Sequence, residues 1–217
     1  MTHSGLQEIG TGPENAGLRE RSKARRRAAI IRAAFTLFAE RGYQATTIAD
    51  IAAAAEVAPR TVAMYFPSKQ DIAMARFSAT VDSLTSAMRG LAPGQSITES
   101  VGRWLRAYEA AADRDLTQLA LRMFAANPEL NALRSAGMSE TIAEGAALVA
   151  RETGAAAGDP GPRMASVATA AILLELLDFP PGPRREEAIT AAMRFLDAGI
   201  AALGTAATGP SGTAPAC

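Results

Sequence analysis

Residues 46–69 read TTIADIAAAAEVAPRTVAMYFPSK, and this stretch decides the architecture. Isoleucines and alanines recur at helical spacing, so a helix is expected over 47–55, with Thr46 as its N-cap and Asp50 near its positive end. A second short helix starts at Pro59, a residue suited to a first turn, and ends near Phe66, ahead of Pro67. Two short helices that cross closely need small side chains at the contact, and Ala52 and Ala55 supply them. Ile48, Ile51, Val57, Val62 and Tyr65 form the apolar wedge between them. The second helix then keeps a free outer side, as a helix-turn-helix needs to enter a major groove. The apolar spacing alone leaves an ordinary αα-hairpin equally open.

The flanks shift the balance. Upstream, a helix over 18–41 carries Ile30, Ile31, Ala34, Phe35, Leu37 and Phe38 on one face, and Gly42 stops it. A basic run, RERSKARRR (19–27), opens that helix, and Tyr65, Phe66 and Lys69 close the unit. The pieces RRRAAIIRAAFTLFAERGYQATTIADIAAAAEV and PRTVAMYFPSKQDI, over residues 23–72, resemble the TetR/AcrR family of transcriptional regulators. The resemblance implies a homodimer with an N-terminal three-helix helix-turn-helix DNA-binding domain. It also implies a helical-bundle C-terminal domain for ligand binding and dimerisation.

Two positions depart from the family pattern. Glu56 stands where the turn usually has Gly, and a left-handed backbone there is unfavourable by roughly 1 kcal/mol for a side-chain-bearing residue. Ala58 replaces the usual Ser or Thr, removing an N-cap worth about 1 kcal/mol. On the recognition helix Arg60 suits guanine O6 and N7, Thr61 a base edge or phosphate, and Met64, with Ala63, thymine methyls. So few polar readers imply some indirect readout of DNA shape. Tyr43, Thr47, Tyr65 and Lys69 are the expected phosphate contacts. Arg25, Arg26 and Arg27 are expected along the backbone or in the adjacent minor groove.

Helical spacing dominates the rest, so the chain is all-α. Further helices are expected over 68–88, 96–112, 115–126, 128–153, 162–178 and 184–203, eight or nine in total. Residues 1–17 and 205–217 read as a disordered arm and tail, 18–67 as the DNA-binding domain and 68–204 as the effector-binding and dimerisation domain. The resemblance places an effector pocket near Trp104, Tyr108, Met123, Phe124 and Met138, and these side chains suit an apolar or mildly polar molecule. Two strongly apolar helices read as a four-helix dimer interface through Ile172, Leu173, Leu176, Ile189, Met193, Leu196 and Ile200.

Composition narrows the class. The 217 residues include 22 basic and 22 acidic side chains, so the net charge is zero. That sum conceals opposed halves: residues 1–70 hold ten basic against six acidic groups, and the remainder twelve against sixteen. A basic head suits phosphate, and an acidic body avoids it. The one histidine, His3, and the one cysteine, Cys217, lie at the termini, so neither a histidine triad nor a Cys/His metal set is expected. No phosphate-binding glycine loop appears. The expectation is a non-enzyme without cofactor or metal, cytoplasmic, with double-stranded DNA, a second copy and a small-molecule effector as partners, and no membrane. The alternative is a dimeric ligand-binding or interaction protein whose DNA binding has weakened or been lost.

Overall fold

Apolar residues spaced for helices give helices throughout: the computed structural model describes residues 13–92, 94–180 and 182–206, which hold ten α-helices and no strand. They are α1 (Pro13–Arg41), α2 (Ile48–Ala54), α3 (Pro59–Tyr65), α4 (Lys69–Arg89) and α5 (Ile97–Ala111), then α6 (Arg114–Ala126), α7 (Glu129–Gly137), α8 (Ser139–Thr153), α9 (Gly161–Asp178) and α10 (Pro183–Ala206). The chain divides into two units after Ala73, within α4.

In the first unit α2 packs on both α1 and α3. Ile30, Phe35, Phe38, Ile51 and Val62 have no exposed surface. Each such side chain contributes about 1.5–3 kcal/mol by leaving water. Ile48, Ala55, Val57 and Tyr65 are half-buried at the edge of this core. α1 begins at Pro13 rather than at residue 18, because proline's missing N–H is harmless at a first helical position. Residues 13–17 are therefore helical and not an arm. The remaining terminal residues, 1–12 and 207–217, lie outside the described residues, as do His3, Pro93, Pro181 and Cys217.

The second unit is built of the rest of α4 with α5–α10. α9 packs against α8 and α10, and α10 also against α5 and α8. Gly145 permits the α8–α9 approach: a Cβ there would stand 2.5 Å from the Ser166 hydroxyl, which donates to the Ile142 carbonyl at 2.8 Å. The single helix expected over 128–153 is two, α7 and α8, broken at Met138. The Ser139 hydroxyl donates to the Ala136 carbonyl at 2.9 Å, while Gly137 lets the chain close on the Phe77 ring. Such side-chain competition for a carbonyl leaves no trace in apolar periodicity. No helix among the described residues is long and apolar enough to cross a membrane.

Candidate nucleic-acid interface and ligand cavity

α2 starts at a capping box. The N-cap is Thr47, not Thr46: its hydroxyl accepts from the Asp50 N–H at 3.1 Å, while the Asp50 carboxylate accepts from the Thr47 N–H at 2.8 Å. The Thr47 hydroxyl bond, then that backbone N–H, then the Arg41 charge hold the Asp50 carboxyl below its ordinary range. Thr46 is instead buried, and its hydroxyl donates to the Gly42 carbonyl at 2.9 Å.

The turn to α3 is closed by backbone. The Val57 N–H bonds the Ala52 carbonyl at 2.9 Å and the Glu56 N–H the Ala53 carbonyl at 3.2 Å, a Schellman arrangement. This forces Glu56 to φ 54°, and it is the one non-glycine with positive φ among the described residues. Ala58 occupies the N-cap of α3 without any side-chain bond. Both departures seen in the sequence therefore carry the strain and the missing cap expected of them, and α3 still forms.

α3 turns Val62 inward and leaves Arg60 and Met64 in solvent, Met64 at 83% exposure. Thr61 and Tyr65 are half-buried on its flanks. Arg25, Arg26 and Arg27 are all exposed but sit within α1, where successive residues are turned by about 100°. They fan out and form no extended arm that could thread a groove. Arg27 also lies 5.1 Å over the Phe66 ring.

Lys69 has a role the sequence did not suggest. Its ammonium donates to the carbonyls of Tyr43 at 2.6 Å, Thr46 at 2.9 Å and Gln44 at 3.3 Å, and lies 4.4 Å from the Tyr43 ring centre. An ammonium has three donors, and all three are engaged with the α1–α2 loop. Lys69 is thus a clamp on that loop rather than an open phosphate contact. Tyr43, half-buried, packs edge-on against Phe38 at 5.2 Å.

The second unit contains a cavity of about 530 Å³ between α4, α5, α6, α7 and α9–α10 residues. Of the five side chains expected to line a pocket, Tyr108 and Phe124 do so. Trp104 and Met123 are core: the Trp104 indole N–H donates to the Ser83 hydroxyl at 3.0 Å, and Met123 has no exposed surface. Met138 borders only a small space beside Leu84 and Met88. The lining is also far more charged than expected, with five arginines and three carboxylates. Arg122 and Glu175, the charged residues that stand in apolar stretches of sequence, are both exposed. The overlooked groups are Arg76, Arg134 and Arg185, and helical phase marks each of them. Arg76 lies between buried Ile72 and Thr80, Arg134 between buried Leu130 and Met138, and Arg185 four residues before buried Ile189.

The expected dimer residues need a correction as well. Leu173, Leu176, Ile189, Leu196 and Ile200 are buried within a single chain, and Ile172 and Met193 are half-buried against the same core. A side chain already enclosed by its own chain has little surface left to give a partner. The outward faces of α9 and α10 carry Met164 at 69% and Phe195 at 68% exposure, with exposed Val167, Ala168, Ala171 and Ala198.

A capped and clamped three-helix head with an outward α3, followed by an all-helical body, has the form of a helix-turn-helix protein. Residues 30–75 match the model of "Bacterial regulatory proteins, tetR family". The chain is 36% identical over 95 residues to the HTH-type transcriptional regulator TcmR of Streptomyces glaucescens. That match covers 44% of this chain and 42% of the relative. Salmonella enterica GusR is similar in fold, with TM-score 0.59 at 21% identity over 83% of this chain and 95% of its own. So is NalD, the secondary repressor of the MexAB-OprM multidrug efflux pump in Pseudomonas aeruginosa, with TM-score 0.57 at 20% identity over 82% and 97%.

Proposed function

We propose that this chain is a dimeric, sequence-specific DNA-binding repressor, released from a pseudo-palindromic operator by a small molecule held in the cavity of its second unit. The observation that carries the reading is the outward face of α3. Arg60 and Met64 project from a helix whose opposite side is fixed by buried Val62. Arg60 is the direct base reader, and Thr61, Met64 and Tyr65 flank it. Thr47 and Tyr43 stand at the loop and helix start beside it, with Arg25 to Arg27 supplying diffuse positive charge to the phosphates. The basic first third of the sequence supports the same partner.

Dimerisation proceeds through the outward faces of α9 and α10, where Met164, Val167 and Phe195 leave apolar surface in water. Two such helices from each copy form a four-helix contact about a two-fold axis. α4 joins sensing to binding. Its first residue clamps the loop before α2, and Arg76, Phe77 and Thr80 line the cavity two to three turns further on. A ligand that prefers a shifted α4 lowers the population of the DNA-competent arrangement.

The test is binding of the chain to the DNA upstream of its own gene at two salt concentrations. A shifted complex whose affinity falls steeply with salt, and which competitor DNA fails to displace, is expected. A salt-independent or absent interaction rejects the reading in favour of a ligand-binding protein without an operator.

A further inference from the structure

We infer that the cavity of the second unit binds an organic anion with an aromatic body, an aromatic acid rather than an apolar neutral molecule. This deepens the effector reading above and rests on it for its regulatory meaning.

Charge is the first argument. Five arginines face three carboxylates in the lining, an excess of two positive charges. Two carboxylates are engaged at hydrogen-bond distance, Glu186 with Arg106 at 2.7 Å and Asp178 with Arg134 at 2.9 Å. The third, Glu109, stands 3.8 Å from the Arg185 Nε, too far for a hydrogen bond. Arg76 and Arg114 have no carboxylate within ion-pair distance among the described residues, and Arg76 donates instead to the Thr117 hydroxyl at 2.6 Å.

Burial is the second. Arg134 and Arg185 are 5% and 2% exposed, yet each keeps a buried Nε with no acceptor. Buried donors of a charged group are unfavourable until something accepts from them or offsets their charge. An anion in the cavity adds to the single carboxylate that each of these guanidiniums already faces, and it neighbours Arg76 and Arg114 as well. A cationic ligand is repelled by the same set, and a neutral apolar one leaves it unmatched.

The apolar part of the wall sets the ligand's body. The Arg134 guanidinium lies 4.6 Å from the Phe124 ring centre and 5.5 Å from that of Phe77, and the Arg76 guanidinium 5.7 Å from that of Tyr108. The wall thus combines rings with planar cations, and both stack against a flat aromatic system. A space of about 530 Å³ fits a ligand of a few fused rings.

The experiment uses the full chain without DNA and two fluorescent probes. Anilinonaphthalene sulfonate is an aromatic anion, and phenylnaphthylamine has the same rings without the acid group. The sulfonate is expected to bind at one site per chain, about tenfold or more tighter than the neutral probe. Arg114→Gln should loosen the sulfonate several-fold while leaving the neutral probe's affinity and the circular-dichroism melt unchanged, and Arg76→Gln, which also loses its bond to Thr117, should loosen the sulfonate far more than the neutral probe. Equal affinity for the two probes overturns the proposal, as does sulfonate binding indifferent to both substitutions. The two readings fail separately when DNA release is then measured. A neutral probe that binds as well and releases DNA overturns the anion class but spares the effector role. Sulfonate binding at the arginines with no effect on bound DNA ends the effector role and leaves the anion site standing.

Discussion

The Lys69 ammonium donates to the Tyr43 carbonyl at 2.6 Å and faces the ring of the same residue at 4.4 Å. One side chain thereby fixes the loop before α2 to the start of α4, 26 residues further along the chain. Removing the donors leaves three loop carbonyls without their partner. Lys69→Met is expected to destabilise the protein by about 2–3 kcal/mol, the scale of hydrogen bonds to a charged group. Chemical denaturation checks this. The salt slope of DNA affinity, measured where the variant is fully folded, should stay unchanged. A slope smaller by about one would mean that Lys69 contacts phosphate after all.

Glu56 holds a left-handed backbone at φ 54°. Glycine adopts that conformation without the Cβ clash, so Glu56→Gly should raise stability by about 0.5–1 kcal/mol. Ala58→Ser should add about 1 kcal/mol by capping α3, where no side-chain bond exists now. The sites are close, and a double-mutant cycle will show whether the gains add.

Arg60 is exposed on the outward side of α3. Arg60→Ala is expected to relax preference at one base position and weaken the preferred site by about 1–3 kcal/mol. A selection over randomised operators reads this directly. Uniform weakening across all sequences would reassign Arg60 to the phosphate backbone.

The capping box gives the head an acid limb. The Thr47 hydroxyl and N–H hold the Asp50 carboxyl below its ordinary range. A depressed carboxyl contributes stability that is fully present above its unfolded value, about 3.9, and is lost as pH falls through the lower folded value. Melting temperature against pH should therefore fall more steeply below about pH 4 in the native chain than in Asp50→Asn. Parallel curves would show that the box adds nothing.

Phe195 is 68% exposed on α10. Phe195→Asp should leave each chain folded and shift sedimentation toward monomer, because a charge in an apolar contact is strongly unfavourable. Leu196→Asp, one residue on and buried, should unfold the chain instead. A Phe195→Asp protein that remains dimeric moves the interface elsewhere.

The head was largely legible in the sequence, the body much less so. Ile30 to Phe38 and Ile51 to Val62 repeat at a spacing that only a helix can bury, and Pro59 and Gly42 punctuate them. Local rules suffice there because the contacts are between neighbours in the chain. Thr46 and Thr47 are chemically alike, and only the loop geometry decides which one caps. Lys69 reads as a surface charge because nothing in its vicinity announces three carbonyls from residues 43–46. In the body, apolarity marked Leu173 and Ile189 correctly as buried but not what would bury them. The core of one chain and a dimer contact make the same demand on a side chain. Arginine misleads in the opposite direction: Arg134 and Arg185 look solvated by type, and only their phase with Leu130 and Ile189 places them inside.

The orphaned Nε of Arg185 has a thermodynamic corollary. A buried guanidinium with one N–H unbonded holds the folded chain below the stability the same fold reaches once an anion adds to the Glu109 charge beside it. A solute that binds only the folded form raises the melting temperature with the logarithm of its concentration. Heat resistance and signal detection then become two readouts of one equilibrium. A thermal scan across a metabolite extract could find the signal without any operator in the tube.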